Sequence, residues 1–381
     1  MSEQKVKEMI AGTLMELAEG LENGSFRRKY TIGIAADGSE HGEKNLEEAI
    51  KMAAAKGINA IPIKADDPHK EMERMLEYGE IDGAVTMHYP FPIGVSTVGK
   101  VVTPAKGKRM YIATTTGTSD TDRVCAMIKN AIYGIIAAKA DGIEEPAVGI
   151  ANVDGARQCE KALQRLADGG YPIKFAESNR ADGGIVMRGN DLLQGTADVM
   201  VMDSLTGNLM VKIFSSYTTG GGYESVGWGY GPGIGEGFDK TIMIISRASG
   251  APVVSGAIEY AVSLLKHGMS DIAKEEFSKV RKAGIDNILK ELAQPKGDGD
   301  SAEVKMPSKE VVTEQIPGIE VMDLEDAVAA LWKEQIYAES GMGCTGPIIR
   351  ISEANKEKAV QILKENPVSY THLNNVESWK K

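Results

Sequence analysis

The chain has 381 residues, of which 42% are hydrophobic, 25% charged and 6% aromatic, with a formal charge of -11. That length is too great for one small core and points to two or three domains of globular α/β type. A net acidic chain with few aromatic side chains has no general surface field for nucleic acid or anionic membrane, so a phosphate-bearing ligand has to be held by a local group of cations. No long apolar run and no charged-apolar-small leader occurs, which predicts a cytoplasmic setting without a membrane span. Cys125, Cys159 and Cys344 suit neither a disulfide framework nor a zinc site, and the histidines are scattered, so neither metal nor cofactor is expected.

In chain order, Val6, Met9, Ile10, Leu14, Leu17 and Leu21 recur at intervals of three and four and predict an amphipathic helix within residues 1–27, closed by Asn23-Gly24. Residues 28–295 read as an α/β core of two lobes. Strands are predicted at 28–37, 60–63, 83–87, 109–114, 147–151 and 241–246, with helices between them, which is the beat of βαβ units and a parallel sheet. Ligands of such sheets bind beyond the carboxyl ends of the strands. The polar turns fall at those ends: Thr114-Thr-Thr-Gly-Thr-Ser-Asp120, Asn152-Val-Asp-Gly155 and Ser246-Arg247-Ala-Ser-Gly250. Each suits a pocket rim, and each equally suits simple helix capping. One charged helix is predicted over 270–296, a linker over 296–315, a compact module over 316–368 and a loose polar tail over 369–381.

The densest chemistry lies in Asp198–Gly237. Val199 to Met202 form a short apolar strand, Asp203 to Gly207 a polar turn, and a helix begins at about Thr206. Such a handover aims unpaired backbone amides at the turn and suits an anion. Thr206, Gly207, Asn208 and Lys212 are therefore candidates for holding phosphate, Asn208 and Lys212 lying one turn apart on one helix face. A capped helix with Lys212 on a solvated face accounts for the same residues. The glycine run 220–237 is too long for one turn and is expected to be a lid or a receiving surface.

In the C-terminal module a strand is predicted at 319–322, helices at 324–337 and 352–365, and a second strand at 348–351. Between them lies Gly341-Met-Gly-Cys344-Thr-Gly-Pro347. Glycines on both sides of a cysteine permit close backbone approach and surround the sulfur with amides, the conditions that lower a thiol pKa, so Cys344 is expected to be a reactive thiol. Cys125 and Cys159 lie in amphipathic helices and are expected to act as small hydrophobes.

Asn152-Val-Asp-Gly155, Gly189-Asn-Asp-Leu-Leu-Gln-Gly195, Ala197-Asp-Val-Met-Val-Met-Asp203, Leu205-Thr-Gly-Asn208 and Lys212 resemble the bacterial phosphate acyltransferases of phospholipid synthesis. Asn208, Lys212 and Ser246-Arg247 are also similar to phosphotransacetylases; this likeness spans roughly residues 30–266. The whole chain, with its glycine run and cysteine motif, resembles the alpha subunits of component C of glycine/sarcosine/betaine reductase complexes. The resemblance implies a two-domain α/β/α fold like that of isocitrate and isopropylmalate dehydrogenases, with a parallel-rich sheet and a small C-terminal α+β module. It implies an acyltransferase in which acetyl from a carboxymethylated selenoprotein A is held as a cysteine thioester and released by inorganic phosphate as acetyl phosphate. In that family a ketoacyl synthase-like beta subunit belongs to the same component, and an oligomer is expected. On this reading Cys344 carries the acyl group, Thr206, Gly207, Asn208 and Lys212 hold phosphate, and Ser246 and Arg247 orient phosphate or stabilise the oxyanion. A plain phosphate acyltransferase acting on acyl-coenzyme A or acyl carrier protein, and a non-catalytic scaffold subunit, are the alternatives. A nicotinamide dehydrogenase is disfavoured, because no GxGxxG comes after a strand.

Overall fold

From residue 30 onward strands and helices alternate. β1 (Thr31–Ala35) is followed by α1 (Gly42–Ala55), β2 (Asn59–Pro62), α2 (Pro68–Glu77) and β3 (Gly83–Thr86). β4 (Val95–Val102) and β5 (Arg109–Thr118) pair antiparallel. Then come α3 (Arg123–Ala140), β6 (Ala147–Ala151), α4 (Ala156–Asp168), β7 (Lys174–Phe175), β8 (Val186–Met187) and α5 (Gly189–Gln194). β9 (Val199–Val201), α6 (Ser204–Ser216), β10 (Gly231–Ile234), β11 (Ile242–Ile244), α7 (Ala251–Lys266), α8 (Met269–Lys282) and α9 (Ile285–Ala293) complete the first of two compact units, Met1–Ala293. The computed structural model describes residues 14, 15, 18, 30–35, 38–179, 183–293, 306–317, 319, 324–343 and 346–365. Apart from Leu14, Met15 and Ala18, all exposed, the expected N-terminal helix lies outside them, as does the tail. Among the described residues no helix is long and apolar enough to cross a membrane.

The sheet order is β2-β1-β3-β11-β10-β4-β5-β9-β6-β7, with β8 on β6. β1, β2, β3 and β11 are mutually parallel, and so are β5, β6, β7, β8 and β9. β10 and β4 are antiparallel to each other and to their outer neighbours, so the two parallel lobes run in opposite directions and meet at a central antiparallel pair. Both faces of the sheet are covered. Val199 and Val201 belong to one apolar cluster with residues of α1, α3, α4 and α7, whereas Met200 and Met202 belong to another with residues of α2, α5 and α6. This alternation within a continuously apolar strand makes the α/β/α layering, because a parallel sheet needs helices on both faces.

β4 and β10 are the main departures from the sequence reading. β10 is Gly-Pro-Gly-Ile, with little strand propensity. Its glycines serve close approach: a Cβ at Gly231 (φ +87°) would lie 1.7 Å from Val98 O, and one at Gly233 would lie 2.3 Å from the Phe91 ring. Tyr230 and residues 231–235 are buried in the middle of the sheet, which rules out a lid for this part of the glycine run. The single helix expected over 270–296 is two, broken at Gly284 in the left-handed region (φ +90°).

The second unit, Gln294–Lys381, contains β12 (Glu314–Pro317), α10 (Leu324–Lys333), β13 (Ala338–Gly343), β14 (Gly346–Ile351) and α11 (Lys356–Glu365). Its antiparallel sheet has the order β12-β14-β13, and Ile316, Leu331, Ile336, Ile349 and Leu363 are buried in a core of its own. The chain is thus a two-lobed α/β core plus a small antiparallel C-terminal module. Of the strand expected at 319–322 only Ile319 is described; the strand found here lies at Glu314–Pro317. The glycine turn is shorter than expected. Gly341, Met342 and Gly343 pair with Ile348, Pro347 and Gly346, leaving Cys344 and Thr345 between the strands and outside the described residues.

Candidate active site

The carboxyl ends of β9 and β11 arrive at one level of the sheet from opposite directions. Val201 pairs with Ala113 and Ala113 with Val98; Ile244 pairs with Gly231, whose Cβ position meets Val98 O and Gly99 N. The turn after β9 and the turn after β11 therefore face each other across the central pair. This is the switch point at which α/β sheets bind ligands.

After β9, Asp203 stays extended and caps α6: its carboxylate accepts the Thr206 amide at 3.0 Å and the Thr206 hydroxyl at 2.6 Å. The Gly207 amide donates to Asp203 O at 2.9 Å. Of the amide turn expected to grip phosphate, the Thr206 amide is thus taken by the Asp203 carboxylate, which also takes Arg123 at 3.3 Å, and the Gly207 amide by the Asp203 carbonyl. Gly207 serves packing instead; a Cβ there would lie 1.8 Å from Thr114 O, so only glycine lets α6 lie this close to β5. One residue on, Asn208 Nδ2 donates to Thr115 O at 3.1 Å and ties the helix to the end of that strand.

Lys212, one turn further, reaches across the cleft. Its ammonium donates to Ser246 Oγ at 3.3 Å, lies 3.5 Å from Glu224 Oε1 and sits 5.7 Å from the centroid of the Tyr230 ring. Burial pulls the Lys212 amine down, but the Tyr230 hydroxyl and Glu224 outweigh it and hold it above its ordinary value. Burial pushes the Tyr230 phenol up, against the pull of Lys212 and Ser246. Ser246, 7% exposed, also accepts the Ala248 amide at 3.2 Å.

Arg247 is exposed, and among the described residues its guanidinium has no hydrogen-bond or ion-pair partner. Its loop is clamped from the other side: Arg247 O accepts the Glu40 amide at 2.9 Å, His41 Nε2 lies 3.1 Å from Ala248 O, and Asn45 Nδ2 donates to Ser249 O at 3.0 Å. The structure thus brings Lys212 against Ser246, with Asn208 one turn back on α6 and Arg247 next in the chain, its guanidinium 3.9 Å from the place a Cβ on Gly38 would take. The ammonium and the Ser246 hydroxyl together suit an oxyanion.

A profile of the "Fatty acid synthesis protein" family matches residues 31–350. A protein of Peptoclostridium acidaminophilum, "Glycine/sarcosine/betaine reductase complex component C subunit alpha", is 56% identical over 377 aligned residues, covering 94% of this chain and 98% of that protein. The chain belongs to this family. A "Phosphate acyltransferase" of Paramagnetospirillum magneticum strain AMB-1 is 26% identical over 193 residues, 42% of this chain and 53% of that protein.

Within the family frame, two residues of the cleft escaped the sequence reading, Glu224 and Tyr230. Both come from the glycine run. Glu224 is 3% exposed, and its second carboxylate oxygen accepts Ser249 Oγ at 3.1 Å, so it braces both Lys212 and the Arg247 loop. The signal for them was present as a carboxylate and a phenol among close-approach glycines, but without periodicity to give it direction. Among the described residues no three His, Cys, Asp or Glu side chains gather as a metal site would need. Cys125 and Cys159 are buried; burial pushes the Cys125 thiol up to about 12 and the Cys159 thiol higher still, so neither is a nucleophile at neutral pH.

Asp203→Ala is expected to cost about 1 kcal/mol at neutral pH, the usual worth of such a cap. The carboxyl is held below its ordinary 3.8: burial raises it, but the Thr206 hydroxyl and amide and the Arg123 charge lower it by more. A depressed folded-state pKa contributes stability that is full above the unfolded value and is lost as pH falls through the folded one. Thermal melts of wild type and variant should therefore differ near pH 7 and converge well below pH 3.8.

Proposed function

We propose that the chain is an acyltransferase that passes an acetyl group from a cysteine thioester to inorganic phosphate, acting as the alpha subunit of a component like the one named for its Peptoclostridium relative. The observation that carries this reading is the reach of Lys212 from one lobe to Ser246 of the other; Arg247, the next residue in the chain, has a guanidinium without a partner among the described residues. Lys212 and Arg247 would hold phosphate, with Asn208 keeping the helix in register. The thioester would be at Cys344, because Cys125 and Cys159 are buried thiols of raised pKa.

A phosphate oxygen then attacks the thioester carbonyl carbon, and the C=O electron pair moves to oxygen, where the Ser246 hydroxyl or the Lys212 ammonium receives the charge. Collapse re-forms C=O, breaks the C–S bond and returns thiolate to Cys344, and acetyl phosphate departs. Phosphate remains a strong enough nucleophile at neutral pH because holding it next to the carbonyl replaces a bimolecular encounter. The acetyl group would come from the carboxymethyl group of a carboxymethylated selenoprotein A. The C–Se bond breaks, and the methylene carbon becomes methyl with two electrons from the selenoprotein, whose selenium leaves bonded to one of its own thiols. The carboxyl group condenses with the Cys344 thiol and releases water. The partner proposed is a ketoacyl synthase-like beta subunit. The likeness to a phosphate acyltransferase supports a second reading, acyl transfer from coenzyme A or acyl carrier protein without Cys344.

Substoichiometric iodoacetamide with peptide mapping tests the thiol assignment. Cys344 should be alkylated well ahead of Cys125 and Cys159 in the native protein, and equal labelling of all three would overturn it.

A further inference from the structure

Below the cleft lies a buried cation that this mechanism does not use. Lys100, on β4 next to Gly99, is 4% exposed. Its ammonium meets Asp141 Oδ2 at 2.5 Å, at the carboxyl end of α3. The same carboxylate accepts the Tyr111 hydroxyl at 2.6 Å and the Ser263 hydroxyl of α7 at 2.7 Å. α3 comes after β5 in one lobe and α7 after β11 in the other, so this network joins the lobes on the face of the sheet that α3 and α7 cover. The ammonium also lies 4.4 Å from the centroid of the Trp228 ring and 4.5 Å from that of Tyr260, and Arg109 lies 5.5 Å from the Trp228 ring.

We propose that Lys100 is a positioning residue for the active site: it clamps the Trp228 ring and so fixes the glycine-rich segment that delivers Glu224 and Tyr230 to Lys212. Trp228 is flanked by Gly227 and Gly229, both in the left-handed region (φ +105° and +74°). Such backbone has no stiffness of its own, so an anchored ring decides where its neighbours lie. Cation–π attraction is strongest when desolvated and depends on the ring face, which makes it a directional hold. An apolar side chain would fill the space without the cost of burying a charge, and would leave the ring free to turn.

The functional meaning rests on the phosphate-holding role of Lys212, but the test does not. The full-length protein is reductively methylated without phosphate or acyl donor, and modification of Lys212 is followed by mass spectrometry against exposed Lys51 as internal reference. Trp228→Leu removes the ring face and Trp228→Phe keeps one, while Lys100→Met combined with Asp141→Asn removes both buried charges together. If Tyr230 and Glu224 drift away, the Lys212 amine loses the partners that hold its proton, and about threefold faster methylation is expected. That increase is expected in Trp228→Leu and in the double variant, with the wild-type rate in Trp228→Phe. An unchanged Lys212 rate in Trp228→Leu or in the double variant, whatever the loss of melting temperature, overturns the proposal; should one variant not fold, the other decides. Adding phosphate to the wild type reports separately on the acyl-transfer reading: no protection of Lys212 would count against that reading and leave the clamp standing.

Discussion

Lys212→Ala is expected to lower acetyl phosphate formation by about 10²–10³-fold, the usual loss when one preorganised group aimed at developing charge is removed. Lys212 is the ammonium that crosses from α6 to Ser246. Its side chain is 46% exposed, but Glu224, Tyr230 and Ser246 around it are buried, so the ammonium is held at a fixed place that a mobile water would not reproduce. The loss should appear both as a higher phosphate KM and as a lower kcat if, as proposed, the same charge holds the nucleophile and the oxyanion. Stability needs a control, because the substitution leaves Glu224 buried without its cation. Adding Glu224→Gln should recover melting temperature and not turnover. Full activity in Lys212→Ala would remove the cleft from the reaction.

Gly207→Ala should lower stability by about 3 kcal/mol, at the upper end of what overpacking costs. The added carbon would lie 1.8 Å from Thr114 O and 3.1 Å from Ile112 Cγ2, and the nearer obstacle is backbone, so α6 itself has to move. Asn208 and Lys212 move with it, and displacement of a positioned group by about 1 Å costs on the order of 10²-fold in rate. Denaturant midpoints, and activity measured well below the transition, separate the two effects. Gly189→Ala, whose added carbon meets nothing within 4 Å, is the matched control and should be close to neutral. An unchanged midpoint for Gly207→Ala would mean that the helix does not pack on β5 as described.

Range along the chain decided which features were legible in the sequence. The strand-turn-helix at Val199–Ser216 could be read because strand, cap and helix face are all local patterns. Ser246 and Arg247 could be located at a strand end for the same reason. Local reading did not show that the Asp203 carboxylate would itself accept the Thr206 amide. Glu224, Tyr230 and the two central strands were not legible. β10 pairs with residues more than 100 positions earlier, and the pairing works through glycines that are chosen for what they touch and not for the backbone shape they favour. Lys100 was hidden likewise: a lysine in an apolar run reads as an interruption until Asp141 and Trp228 are found around it.

The proposed catalysis turns on one transfer, from Cys344 to phosphate held by Lys212. It is tested most directly by supplying acetyl donor and partner components without phosphate, mapping the peptides by mass, and then adding phosphate. The expected result is an acetyl group on the Cys344 peptide that discharges to acetyl phosphate in the wild type and persists in Lys212→Ala. Acetyl phosphate produced without any acetyl on Cys344, or discharge at the wild-type rate from Lys212→Ala, would contradict it.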